Sequence, residues 1–281
     1  MQSRSTGWVR YLCVASRWVK WLWLKGLVCS VLIFIAPGTL LAQAGEISED
    51  QSVDALVLVT AALDQTRGLS SISSMSMLVK RPNWERNSSL TAWTRGREDA
   101  LIRFTAPAKD AGNALLKQGG KMWTFNPKLN RNIRLPSSMM SQSWAGSDFS
   151  YNDLSRSDKY LRHYDLSLVS AMVKGGHTVY TIDAIPKEDA PVVWGKERMI
   201  IRDDFIMLEL TYFDQDLVPL KRMTSTDVGE LGGRMMAKTM RMVNLEEPDS
   251  FTEVRYEEMS FNMHLEDRLF TVFALQSGRT R

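Results

Sequence analysis

From residue 71 onward the chain is built of short runs in which apolar and polar residues alternate, each closed by a turn signal. The runs cover residues 71–80, 85–94, 99–105, 114–118, 121–126 and 131–135. After an interruption they resume at 165–173, 178–185, 197–202, 205–213, 217–225, 235–243 and 253–261. Alternation of period two puts successive side chains on opposite faces of a strand. Pro82-Asn83, Gly96, Gly119-Gly120, Asn126-Pro127, Gly175-Gly176, Asp203-Asp204, the stretch from Asp214 to Asp216, and Gly232-Gly233 mark the turns between them. Short strands at about ten-residue spacing, joined by tight turns, predict a large antiparallel sheet. One helix precedes them, over residues 48–67. Glu49, Asp50 and Asp54 stand near its start, where negative charge suits the helix dipole. Val53, Leu56, Val57, Thr60 and Leu63 form a stripe along it, and Arg67-Gly68 stops it. No linker and no second helix-rich half follows. The expectation is an α+β fold of one domain, a single curved antiparallel sheet forming a barrel or half-barrel.

Residues 136–163 break the alternation. They are rich in serine and carry Met139, Met140, Trp144, Phe149, Tyr151 and Tyr160. Loop and short helix are expected, with the apolar side chains packed on the concave face of the sheet. This insert is either an ordinary cover over the core or a lid that faces a ligand.

The first 44 residues are of another kind. Their charges are Arg4, Arg10, Arg17, Lys20 and Lys25, with no acidic residue. The apolar run 26–36 follows, then Pro37-Gly38 and Ala42-Gln43-Ala44. A basic segment, a short apolar segment and an A-x-A site are the parts of a secretory signal peptide. The run falls short of the roughly 20 residues that a spanning helix needs. Cleavage after Ala44 is expected, leaving 45–281 as the mature domain; the competing reading keeps the leader as an anchor. Lysine plus arginine then falls from 35 to 30 against 32 acidic residues, so a net charge of +3 becomes −2. Both cysteines, Cys13 and Cys29, leave with the leader. A mature chain without cysteine suits an oxidising compartment and has no thiol chemistry. A slightly acidic domain also lacks the electrostatic footprint of a nucleic-acid binder.

Few residues point to catalysis. His163, His177 and His264 are far apart, and the mature chain lacks G-x-S-x-G, S-x-x-K, a P-loop and G-x-G-x-x-G. Asp203-Asp204, Glu246-Glu247 and Glu257-Glu258 are paired carboxylates, but adjacent residues on a strand face opposite ways. No enzyme activity, metal or cofactor is expected. Methionine is abundant instead: Met75, Met77, Met235, Met236, Met240, Met242, Met259 and Met263 fall on or beside expected strands. Flexible thioethers fill an ordinary core and also suit surfaces that accept varied apolar partners.

Particular stretches carry a resemblance. Arg103-Phe104-Thr105-Ala106-Pro107 with Gly112-Asn113-Ala114-Leu115-Leu116, and Met122-Trp123-Thr124-Phe125-Asn126-Pro127 with Arg131-Asn132-Ile133-Arg134, resemble the outer-membrane lipoprotein-sorting protein-like family. So do Gly146-Ser147-Asp148-Phe149-Ser150-Tyr151-Asn152-Asp153-Leu154, Ala184-Ile185-Pro186-Lys187 and Arg268-Leu269-Phe270-Thr271. The resemblance implies a LolA/LolB-like incomplete barrel covered by helices over a hydrophobic cavity, and a periplasmic location. It implies a carrier of lipid or lipoprotein acyl chains, monomeric, working beside a membrane exporter of the resistance-nodulation-division or MMPL type. The alternative is a non-carrier accessory subunit docked on such an exporter. For the carrier, Trp93, Phe104, Trp123 and Phe125 are expected to line the cavity, with Met139, Met140, Trp144, Phe149 and Tyr151 on its cover.

Overall fold

The computed structural model describes residues 53–155 and 159–277, which belong to one unit, Glu49–Arg281. The expected leader, 1–44, lies outside the described residues. Helix α1 (Ala55–Gln65) starts at Asp54, whose carboxylate accepts a hydrogen bond of 2.8 Å from the Leu56 N–H. This satisfies one of the donors left open at a helix start. At the other end Gly68 takes a φ of 61°, a left-handed conformation that suits glycine and turns the chain into the sheet.

The first half of the sheet comprises β1 (Ser70–Arg81), β2 (Trp84–Arg95), β3 (Asp99–Ala106), β4 (Ala114–Gln118), β5 (Lys121–Asn126) and β6 (Arg131–Arg134). The insert follows, with a 3-10 turn (Ser137–Met139), α2 (Tyr151–Ser155) and α3 (Lys159–His163). The second half comprises β7 (Tyr164–Lys174), β8 (His177–Pro186), β9 (Lys196–Arg202), β10 (Met207–Phe213), β11 (Pro219–Leu231), β12 (Arg234–Asn244) and β13 (Phe251–Phe261). A second 3-10 turn (Asp267–Phe270) and α4 (Val272–Ser277) close the described chain. The strand starts expected at Phe205 and Leu217 fall in turns instead, because both residues adopt positive φ, 65° and 61°.

All thirteen strands form one antiparallel sheet in the order β6-β5-β4-β3-β2-β1-β13-β12-β11-β10-β9-β8-β7. It is two meanders joined where β1 pairs with β13. The first runs outward to the edge strand β6, and the second starts at the opposite edge, β7, and returns to the centre. The sheet does not close on itself. The insert connects the two edges, so it has to cross the face of the sheet, and this is why it carries apolar side chains.

Register fixes which residues share that inner face. Ser73, Met75 and Met77 lie opposite Ala92, Leu90 and Ser88 of β2, and opposite Met259, Tyr256 and Val254 of β13. A register shift at Ser74/Met75 on the β13 side, where β13 carries one extra residue, bends the pair. The inner face continues through Met242, Met223, Leu210, Met199 and Ile182. With Leu58, Val59 and Ala62 of α1 and Trp144, Phe149 and Tyr160 of the insert, these residues make the main core. The expected stripe on α1 is corrected: Ala55, Leu58, Val59 and Ala62 are buried, whereas Val53, Leu56 and Val57 are exposed. The segment Ala-Leu-Val-Leu-Val-Thr-Ala-Ala-Leu is apolar all round, so two stripes fit helical spacing equally well.

A second, smaller core lies on the outer face of the first meander. Trp93, Leu101, Leu116 and Phe125 pack there against Leu269, Phe270 and Leu275 from the C-terminal segment. Buried Arg103 ties that segment down, donating to the carbonyls of Ala274 (3.1 Å) and Leu275 (3.2 Å). Burial pulls its pKa below the ordinary arginine value. The guanidinium of Arg95 sits 4.8 Å above the Phe270 ring.

Candidate functional site

The inner face holds a cavity of about 230 Å³ between the β1–β2–β13 part of the sheet, the end of α1 and the insert. Met75, Met77, Leu90, Ile102, Met240 and Val254 form its apolar floor, and Trp144, Phe149 and Leu154 its cover. Ser71, Ser73, Thr94, Thr66, Arg67 and Tyr256 also line it.

The cover is held by charge and hydrogen bonding. Asp148, next to Phe149, accepts two bonds from Arg81 at 3.0 and 3.1 Å and one from the Thr252 hydroxyl at 2.6 Å. The Asp148 N–H donates back to the Thr252 oxygen at 2.9 Å. Asp153 of α2 pairs with Lys221 of β11 at 2.6 Å, and both side chains are largely buried. On α3, buried Lys159 lies 2.6 Å from each carboxylate oxygen of Glu197 on β9, a residue wholly shut off from solvent. The Tyr160 hydroxyl donates to the same carboxylate at 2.5 Å, and the Tyr164 hydroxyl also donates to it. Thus one carboxylate collects an ammonium and two phenols, the full pairing that a buried charge requires. Burial, followed by the charge on Glu197, pushes the Tyr160 hydroxyl well above its ordinary pKa. Burial does the same to Tyr212, with Asp153 and Glu197 adding to it. The segment 146–154 therefore works as a clasp: two carboxylates bind the sheet and one ring enters the cavity between them.

The structure distributes the nine aromatic and methionine residues singled out in the sequence. Trp144 and Phe149 line the cavity. Phe104 packs 5.5 Å from Trp144, centroid to centroid. Phe104, Phe125, Trp144 and Tyr151 meet at an adjoining cavity of about 420 Å³. Met140 borders a third, of about 460 Å³, together with Lys159 and Met122, and Met139 packs against the inner core. Trp93 and Trp123 belong to the outer-face core, under the C-terminal segment, so the structure does not bring them to the inner cavity. The polar end of the cavity was missed. Its signal was available, because Ser71, Ser73, Met75 and Met77 alternate along one strand face and change from hydroxyl to thioether midway.

Asp203 and Asp204 stand in the turn between β9 and β10, where strand alternation does not apply, and they converge with His177 after all. Their ligand atoms lie within 4.8 Å of one another. Asp204 is engaged by Arg202 at 2.7 and 2.5 Å, and Asp203 by the Thr178 N–H at 2.8 Å and His177 Nδ1 at 2.7 Å. This cluster is a partly exposed hairpin-end network.

A family model whose description reads "-like: Uncharacterized protein" matches residues 96–277. No curated protein matches the chain. Among solved structures, a putative outer membrane lipoprotein-sorting protein domain from Vibrio parahaemolyticus superposes with a TM-score of 0.69 at 22% identity, covering 79% of this chain and 98% of that one. A DUF1329 family protein from Desulfovibrio piger gives 0.68 at 22% identity over the same shares. A LolA superfamily protein from Nitrosomonas europaea gives 0.66 at 18% identity, covering 79% of this chain and all of that one. The chain thus belongs to the family of the matching model and has the fold of the LolA-like, outer-membrane lipoprotein-sorting proteins.

Proposed function

We propose that this protein is a periplasmic carrier that shields lipid or lipoprotein acyl chains in the inner-face cavity and works with a membrane exporter. Residues 1–44 then act as a cleaved leader and 45–281 as the carrier domain. The observation that carries this reading is a methionine-lined cavity on the inner face, covered by the segment that connects the two edge strands, β6 and β7, across the sheet. Burying an acyl chain there gains about 0.8 kcal/mol per methylene. At about 230 Å³ the cavity is smaller than the roughly 300–1,000 Å³ of common ligand sites. A long chain therefore requires the insert to shift, and polar clasps of the kind seen at Asp148 and Asp153 can re-form with water once opened. The fold shared with lipoprotein-sorting and LolA-superfamily proteins supports the reading.

The test is an acyl probe whose fluorescence rises when it leaves water. The natural protein is expected to bind it saturably. Ala92→Trp, which places an indole in the cavity from β2, is expected to weaken binding about tenfold or more, given the worth of a few lost methylenes. Equal binding by the two proteins would overturn the proposal.

A second reading is favoured by one observation. Leu56 and Val57 of α1, and Val169, Met172 and Val173 of the neighbouring edge strand β7, are exposed. They suit an accessory subunit docked on an exporter without carrying lipid. Failure of the natural protein to bind the probe would favour that reading.

A further inference from the structure

The β1–β2 wall of the cavity is graded from polar to apolar along its length. On β1 the inward residues run Ser71, Ser73, Met75, Met77, and on β2 they run Thr94, Ala92, Leu90 in matching register. Ser71 and Thr94 share a hydroxyl–hydroxyl hydrogen bond of 2.6 Å at the polar end. From Ser71 to Met77 the strand advances about 20 Å at roughly 3.3 Å per residue. The last residues after α1, Thr66 and Arg67, border the same cavity, and Gly68 leads from them directly into β1. Trp144 packs on Phe104, the neighbour of Leu90, and Asp148, next to Phe149, is held by Thr252 opposite Val79, so both rings stand toward the thioether end.

Among the described residues, two charged ones line this space, Arg67 and Asp153. Asp153 is neutralised where it stands, by Lys221 at 2.6 Å and by the Ser150 N–H at 2.8 Å. Arg67 brings positive charge to the hydroxyl-bearing end, and its field opposes the upward push of burial on the Tyr256 hydroxyl. A guanidinium has five N–H donors, so it can hold a ligand oxyanion in addition to its protein partners. An alcohol head would offer that guanidinium a neutral acceptor, whereas an acidic head would add opposite charge to the hydrogen bonds it accepts.

We propose that the carrier's ligand is a lipid with an acidic head, bound head-first at Arg67, Ser71 and Thr94 with its tail toward Trp144 and Phe149. This rests on the carrier reading above and adds the head-group class and the orientation to it. The shared chemistry is an oxyanion on an acyl chain, and a carboxylate and a phosphate both supply it.

The experiment compares dodecanoate, dodecyl phosphate and dodecanol as competitors of the acyl probe, each below its micellar concentration. The natural protein is expected to bind at least one of the two anions about tenfold or more tightly than the alcohol, the scale of one charge-assisted contact. The anion that wins names the head. Arg67→Met is expected to erase this preference, so that the anions bind no more tightly than dodecanol, and Arg67→Lys to restore part of it. Added salt should weaken anion binding to the natural protein and leave dodecanol unaffected, a readout that needs no variant. Equal affinity for all three competitors overturns this proposal and leaves the carrier reading standing. So does an Arg67→Met variant that folds and weakens all three alike. Binding of none of them overturns both.

Discussion

Replacing Lys159 by methionine removes a charge and keeps most of the aliphatic stem. Its partner Glu197 has no solvent exposure, and Lys159 itself is almost as buried. The carboxylate would remain with the Tyr160 and Tyr164 hydroxyls as donors but without its counter-charge. Breaking a buried ion pair from one side costs about 3–5 kcal/mol. Net domain stability is about 5–15 kcal/mol, so this is a large share. At about 2–4 °C per kcal/mol for a domain of this size, Tm should fall by roughly 6–20 °C. The double variant Lys159→Met/Glu197→Leu removes both charges and should recover at least half of that loss, since an apolar pair can replace a buried ionic one. It should not recover all of it, because the two phenols lose their acceptor. Thermal and urea unfolding of the four proteins of this cycle give the coupling directly. Hydrogen exchange on the insert, residues 136–163, should accelerate in Lys159→Met before global unfolding. A single variant within 2 °C of the natural protein, or a double variant worse than the sum of the singles, would refute the reasoning. The insert would then not be held by this pair.

Two further outcomes follow from the same structure. Phe270→Ala truncates a fully buried ring on the outer face and should cost about 3–5 kcal/mol in urea unfolding, while acyl-probe affinity of the folded protein stays unchanged, because that core is on the other side of the sheet. Loss of probe binding by a folded Phe270→Ala variant would show that the two faces are not independent. Alkaline pH should destabilise the protein: burial holds the Tyr160 and Tyr212 hydroxyls protonated well above the ordinary value, whereas in the unfolded chain they ionise near pH 10. Their contribution is complete below about pH 10 and is lost above it, by up to about 1.4 kcal/mol per pH unit for each. Tyr212→Phe should flatten this dependence in urea titrations between pH 8 and 11, and an unchanged slope would contradict it.

Strand positions were legible because alternation and turn residues are local signals, and Ser71 through Met77 announce both a strand and its two faces. Which face looks inward was harder. In β2 the neighbours Ala92 and Trp93 are both apolar, and the larger ring belongs to the outer core because a C-terminal segment, far away in sequence, covers it. That segment reads as a few apolar residues among charges, so its packing partner is invisible locally. The pairing of β1 with β13 is equally non-local, as a meander pattern fixes neighbours and not the meeting of two meanders. Lys159 and Glu197 read as ordinary surface charges; 38 residues separate them, and only folding shows that each is buried against the other. The cover was more readable, since Trp144 and Phe149 stand in a segment without strand alternation and had to bury somewhere.

If the inner face carries an acyl chain, the lipid travels with the purified protein. Native mass spectrometry of the protein recovered gently from periplasm tests it most directly. A population heavier than the bare chain by one lipid, acidic in its head group, is expected, with a matched loss of that population in Ala92→Trp. A bare chain in both samples, together with no uptake of added dodecanoate, would contradict it.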